Sequence, residues 1–123
     1  METKHFGSPK QILAIVEPKV AIGAVIGDAG VTANEQGRKI IPAGTPVGGE
    51  ASTLDDSQAV LTVSNDAKAQ GVLEHDVDVT NGTTDGTLII FGFVNENRLD
   101  DSLTISPEAK TALNGKVTFM KRN

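Results

Sequence analysis

The side chains with most capacity for chemistry are grouped in one stretch: Glu74, His75, Asp76 and Asp78, followed by Asn81 and Asp85. A histidine between two carboxylates has the makings of a proton-transfer pair or a metal ligand set. Residue alternation opposes that use. In a regular strand Leu73, His75, Val77 and Val79 share one face, while Val72, Glu74, Asp76 and Asp78 share the other. His75 is therefore expected as a packed or hydrogen-bonded histidine among apolar neighbours, and His5, in the amino-terminal region, has no identifiable partner. The acidic run from Asp76 superficially matches a calcium loop. It has Asn81 where an EF-hand needs glycine and Thr87 where it needs a bidentate glutamate. The pairs Asp55-Asp56 and Asp100-Asp101 give no acid/base assignment alone. The sequence contains no Gly-x-Ser-x-Gly elbow, no phosphate loop and no His-Glu-x-x-His, and the absence of cysteine excludes a disulfide framework and a thiolate zinc site. No residue is assigned a catalytic, cofactor or metal role, and neither enzymatic activity nor a cofactor is expected.

The elements that must position these residues are mostly strands. Val, Ile and Thr supply 33 of the 123 residues, and Gly and Pro another 18, which suits pleated surfaces joined by many turns. Residues 1–16 read as an arm, polar at its tip and apolar at Ile12, Leu13, Ile15 and Val16, and residues 17–123 as a single β-rich domain. After Pro18, Val20, Ile22, Ala24 and Ile26 alternate on one strand face. Pro42 and Pro46 lack an N–H for a sheet ladder, so residues 41–49 are expected at an edge, a bulge or a loop crossing. Residues 50–71 form a long acidic excursion with one short strand at 59–63.

Residues 71–79 predict a continuous strand, and Asn81-Gly82 and Asp85-Gly86 offer turn residues before the return strand at 87–94. That return strand is apolar on both faces, so it should be covered twice, by its own chain or by another subunit. Phe91, Gly92 and Phe93 are the candidate subunit-interface residues, the glycine admitting another backbone at close range. Leu103 and Ile105 resume a strand. Ser106 then reads as an N-cap before Pro107, and Asn114-Gly115 ends the short helix. A closing strand places Val117 and Phe119 on one face and Thr118 and Met120 on the other. The fold class is mainly β, a small sandwich or barrel-like domain with one short C-terminal helix and an extended N-terminal arm.

Charge narrows the choice of partners. The net charge of −5 argues against a nucleic-acid backbone binder, which needs a basic face. Residues 50–101 hold eleven acidic side chains against Lys68 and Arg98, while the rest of the chain is net basic. Such polarity suits self-association or docking on a partner. No apolar run reaches the ~20 residues of a membrane-spanning helix, and residues 1–10 lack the apolar stretch of a signal peptide, so a soluble product made in the cytosol is expected, with no membrane partner.

Two stretches carry a resemblance. Lys39-Ile40-Ile41-Pro42-Ala43-Gly44-Thr45-Pro46-Val47 resembles the corresponding stretch of head decoration proteins of tailed phages. Gly71-Val72-Leu73-Glu74-His75-Asp76-Val77-Asp78-Val79-Thr80, Leu88 to Asn95 and Leu113 to Lys121 look like small head proteins of siphophages of Gram-positive hosts. The resemblance implies a lambda-type decoration, or cement, protein with a β-tulip-type domain. It further implies a protein made in the bacterial cytoplasm that sits on the capsid exterior as a homotrimer, with the phage major capsid protein as partner. An N-terminal arm reaches the capsid in such proteins, which makes Phe6, Ile12, Leu13, Ile15 and Val16 the capsid-contact candidates here. The acidic segment 50–70 has no counterpart in that pattern. The alternatives are a surface-displayed ligand- or cation-binding module and a tail-tube or connector subunit.

Overall fold

The computed structural model describes residues 13–121, with side chains from residue 19 onward. Eight strands alternate with turns: β1 (Leu13–Ile26), β2 (Ile40–Ile41), β3 (Pro46–Gly48), β4 (Val60–Val63), β5 (Ala69–Leu73), β6 (Val77–Asp78), β7 (Thr84–Asn95) and β8 (Val117–Met120). A 3-10 turn (Glu96–Arg98) and one short helix, α1 (Pro107–Ala112), precede β8. The molecule is thus mainly β. Strands β1, β4, β3, β5 and β7 pair in that order, and β7 returns to β1, which closes a five-stranded barrel. β8 adds to β7 in parallel, and β2 pairs with β6 in a separate two-stranded ribbon.

Adjacent residues on β5 and β7 serve two cores, as strand alternation requires. Leu73 and Leu88 join Ile26, Val47 and Leu61 in the inner cluster that fills the barrel. Their neighbours Val72 and Ile89 join Ala109, Leu113 and Val117 in an outer cluster beneath α1. All four of these β5 and β7 side chains are fully buried, each stabilising the fold by about 1.5–3 kcal/mol. The double cover expected of the return strand is therefore supplied by the chain itself at Leu88 and Ile89.

The helix begins as its sequence dictates. The Ser106 hydroxyl accepts from Ala109 N at 3.0 Å, and Pro107 occupies the first turn, where its missing N–H costs nothing. Ser106 also donates through N to Asn65 Oδ1 and through Oγ to Asn65 O, both at 2.8 Å, which pins the cap to the β4–β5 loop. Gly115, with φ +83°, turns the chain into β8.

One sequence expectation narrows and three change. Of the edge, bulge or loop crossing expected around Pro46, the structure has an irregular register between Val47 and Gly48 in a strand that lies between β4 and β5, with Pro46 as its first residue, where its carbonyl accepts from Ser64 N at 2.9 Å. A Cβ on Gly48 would lie 1.8 Å from Lys68 O, so only glycine lets β3 and β5 approach this closely. The strand foreseen over 71–79 is broken into β5 and β6 by a bend at Glu74-His75. Glu74 turns inward, with 7% of its surface exposed, because Lys19 Nζ meets its carboxylate at 2.8 Å, while β6 leaves β7 to pair with β2. Leu103 and Ile105 lie in irregular chain, fixed by packing rather than a ladder. Finally, β1 starts at Leu13, so residues 13–16, expected within the arm, run as strand.

Candidate interaction surface

The acidic stretch that looked most chemical builds turns. His75 is exposed in the bend rather than packed on an apolar face, so it has left the line of Leu73 and Val77. Asp76 Oδ1 accepts from Ala43 N at 2.8 Å and ties the β5–β6 connection to the turn after β2. Asp78 accepts from both the hydroxyl and the amide of Thr80, and these bonds, the hydroxyl first, hold its carboxyl below the usual carboxylate range. A cleft of about 260 Å³ is lined by Asp76, Arg98, Asp100 and Ser102, but Asp100 is engaged by the amide and hydroxyl of Ser102. Among the described residues, no group of three His, Cys, Asp or Glu side chains could hold a metal ion. On the acidic loop, Glu50 and Lys68 meet at 2.7 Å. The hydrogen bond and the opposite charge lower the glutamate's pKa and raise the lysine's.

The surface that remains is a ribbon at one end of the barrel. β1 and β7 stay paired beyond the barrel, from Val20↔Phe91 to Ile15↔Phe93 and Leu13↔Val94, and β8 flanks the same part of β7 from Gly92 to Asn95. The register slips at three places, between Leu13 and Ile15, between Ile15 and Val20, and between Val20 and Ala21, and the last two have separate reasons. Pro18 cannot donate to a ladder, and the six residues of β1 from Ile15 to Val20 lie opposite only three of β7, Phe91 to Phe93. Between Val20↔Phe91 and Ala21↔Ile89 one extra residue, Ile90, sits on β7 as a bulge. An extra residue swaps the faces of everything beyond it. Inside the barrel the odd-numbered Ile89 lies under the helix, whereas past the bulge the even-numbered Val94 does.

The swap delivers Phe91 and Phe93 to the face opposite the helix. Their rings meet edge to face, with centroids 6.2 Å apart and planes at 76°. Phe91 is 38% exposed and its cross-strand partner Val20 47%, and directly paired residues share a face. On β8, Thr118 and Met120 alternate away from the buried Val117, onto the side of Phe93. β1 carries Glu17 and Lys19, and Lys116 and Lys121 flank β8, in contrast to the acidic residues 50–101.

Of the residues expected to make contacts, the structure brings Phe91 and Phe93 together and sets Gly92 apart. Gly92 is buried, its N–H donates to Lys116 O at 3.0 Å, and an added Cβ would sit 3.2 Å from Ile89 Cγ2. The close neighbours of this glycine among the described residues belong to its own chain. Leu13, Ile15 and Val16 lie in β1, the first and second paired through their backbones with Val94 and Phe93, and Phe6 and Ile12 fall outside the described residues. Sequence alternation placed Val20 with the core residues Ala24 and Ile26. Val20 keeps that face, paired with Phe91 where the ribbon runs on past the closed barrel, and is exposed there. No known protein-family model and no curated protein matches the sequence.

Proposed function

We propose that this chain is a non-enzymatic structural virion protein, a lambda-type decoration protein that binds the outer surface of the expanded capsid of a tailed phage and stabilises it. The observation that carries this reading is the face formed by exposed Val20 and Phe91 with half-buried Phe93, on a ribbon whose outer strand continues in sequence into the segment bearing Phe6 and Ile12. A small domain with an aromatic surface patch beside an apolar terminal segment has two separate means of attachment, one to a sister copy and one to the capsid protein. Phe91 and Phe93 are the residues assigned to contact between copies in a trimer, and residues 1–16 those assigned to the major capsid protein. Stabilisation by such a protein needs no catalysis, because many copies each burying modest area resist pressure collectively.

The test is co-sedimentation of the purified protein with expanded, empty heads of the encoding phage, with unexpanded procapsids as control. Saturable binding to expanded heads alone supports the reading, and absence of binding to both overturns it. A chain starting at residue 17 should lose attachment while keeping its barrel. Its truncation removes the two register positions at Leu13 and Ile15 and leaves the run from Val20 to Ile26. Full attachment by the truncated chain would remove the arm from the account.

A further inference from the structure

The sequence contains two Asn-Gly steps, Asn81-Gly82 and Asn114-Gly115, and in an unfolded chain they are chemically equivalent. Asn-Gly is the step most open to spontaneous deamidation, since glycine carries no side chain to shield its amide nitrogen. From the difference in how the fold holds them, we infer that Asn114 is a self-modification site of the native protein and that Asn81 is protected. The reaction needs only water. The Gly115 amide nitrogen attacks Cγ of Asn114, the new C–N bond closes a succinimide, and the Cγ–Nδ2 bond breaks. The nitrogen's proton leaves with the departing ammonia. Water then opens either carbonyl of the ring, giving aspartate or isoaspartate and in each case one new carboxylate.

The nucleophile must be free for this, and the two glycines differ there. Gly82 N donates to Val79 O at 3.0 Å, which closes the turn after β6 and holds that nitrogen away from its own asparagine. Gly115 N has no hydrogen-bond partner among the described residues, although both flanking amides do: Asn114 N donates to Thr111 O at 3.2 Å and Lys116 N to Leu113 O at 2.8 Å. Asn114 and Gly115 are both exposed, and the space at a Cβ is open at Gly82 and Gly115 alike, so the hydrogen bond on the nucleophile is what separates the two steps. Asn81 can react only through local opening of its turn, and protection of that kind is lost when the chain unfolds.

Modification at this place would matter to the ribbon. Leu113 O accepts from both Lys116 N and Val117 N, and Lys116 O in turn accepts from Gly92 N, so the turn at Asn114 sets the register of β8 on β7. Isoaspartate inserts an additional backbone carbon into that turn, and either product places a carboxylate just beyond the C-terminal end of α1, where negative charge is unfavourable.

The full chain is incubated at mildly alkaline pH and 37 °C, digested, and followed by mass spectrometry, with isoaspartate identified by enzymatic methylation. Asn114 should convert several-fold faster than Asn81 in the native protein, and the two rates should converge in concentrated urea. Equal native rates, or faster conversion at Asn81, would overturn the assignment. Asn114→Ser should abolish the methylation signal early in the incubation. A signal that survives that substitution would place the reactive site elsewhere and equally overturn the proposal.

Discussion

Phe91→Ala separates the two ways in which an aromatic ring can matter to this molecule. Complete burial would make its loss cost about 3–5 kcal/mol of stability. Phe91 keeps 38% of its surface in water, and the space its ring vacates opens to solvent rather than forming a sealed cavity. Scaling by the buried three-fifths, and omitting most of the cavity penalty, leaves about 2 kcal/mol for the isolated chain. The edge-to-face contact with Phe93 is part of that figure. Urea unfolding of the monomer at low concentration measures it, with Leu88→Ala, a fully buried residue in the barrel, as the comparison at about 2–5 kcal/mol. If the exposed ring surface meets another copy, the substitution must also weaken self-association and head attachment beyond what its stability loss explains. Sedimentation equilibrium and head co-sedimentation read that second effect. A monomer cost matching the upper end of the Leu88→Ala range would mean that the ring is buried by its own chain, and unchanged association would refute its place in an interface.

Two further substitutions test the architecture. Gly48→Ala forces a methyl group against Lys68 O and should cost about 3 kcal/mol or prevent barrel closure, whereas Gly23→Ala, with nothing within 4 Å, should change stability by under about 1 kcal/mol; equal effects in denaturant melts would contradict the β3–β5 approach. Thr80→Val removes the hydroxyl that lowers the Asp78 pKa, so the Asp78 titration followed by NMR should move up toward the ordinary carboxylate value. Because the folded value is depressed, its stabilisation is present above the unfolded pKa and is lost as pH falls through the folded one. The stability gap between Thr80→Val and the parent should therefore narrow below about pH 4. An unmoved Asp78 titration would mean that the hydroxyl is not the cause.

Local signals carried much of this fold because they act locally. Ser106 and Pro107 start a helix through bonds within four residues, and Gly115 leaves it through its own φ. The apolar Leu88 to Val94 announced a strand buried on both sides, and at Leu88 and Ile89 it is. What escaped was set by partners distant in sequence. Glu74 reads as a solvent-facing carboxylate until Lys19, 55 residues away, draws it inward, and that bend is what exposes His75. Pro46, by forfeiting one donor, leaves an edge, a bulge and a loop crossing equally open, and only the pairing of β3 with both β4 and β5, irregular between Val47 and Gly48, decides among them. The site was half legible. Phe91 and Phe93 were recognisable as large apolar residues two apart, but the bulge at Ile90 decides which face they take, and it is visible only in the pairing with β1.

The same irregularities divide β1 into parts that respond differently to load. From Val20 to Ile26 the strand pairs continuously with β7 past its one bulge, and at Val25 and Ile26 it also pairs with β4, so this part is built into the closed barrel. From Leu13 to Ile15 it pairs with β7 alone and is separated from the barrel run by the unpaired stretch around Pro18. Tension applied at the amino terminus of an antiparallel strand slides it along its partner, so the bonds nearest the pull are strained first. In the proposed role the pull comes from an arm held by the capsid, and the outer positions can yield at the Pro18 break while the barrel run stays intact. A strand that proline interrupts between its tether and its core confines the damage of an overload to a few bonds outside the fold. A continuous ladder of the same length would carry that strain directly into the barrel.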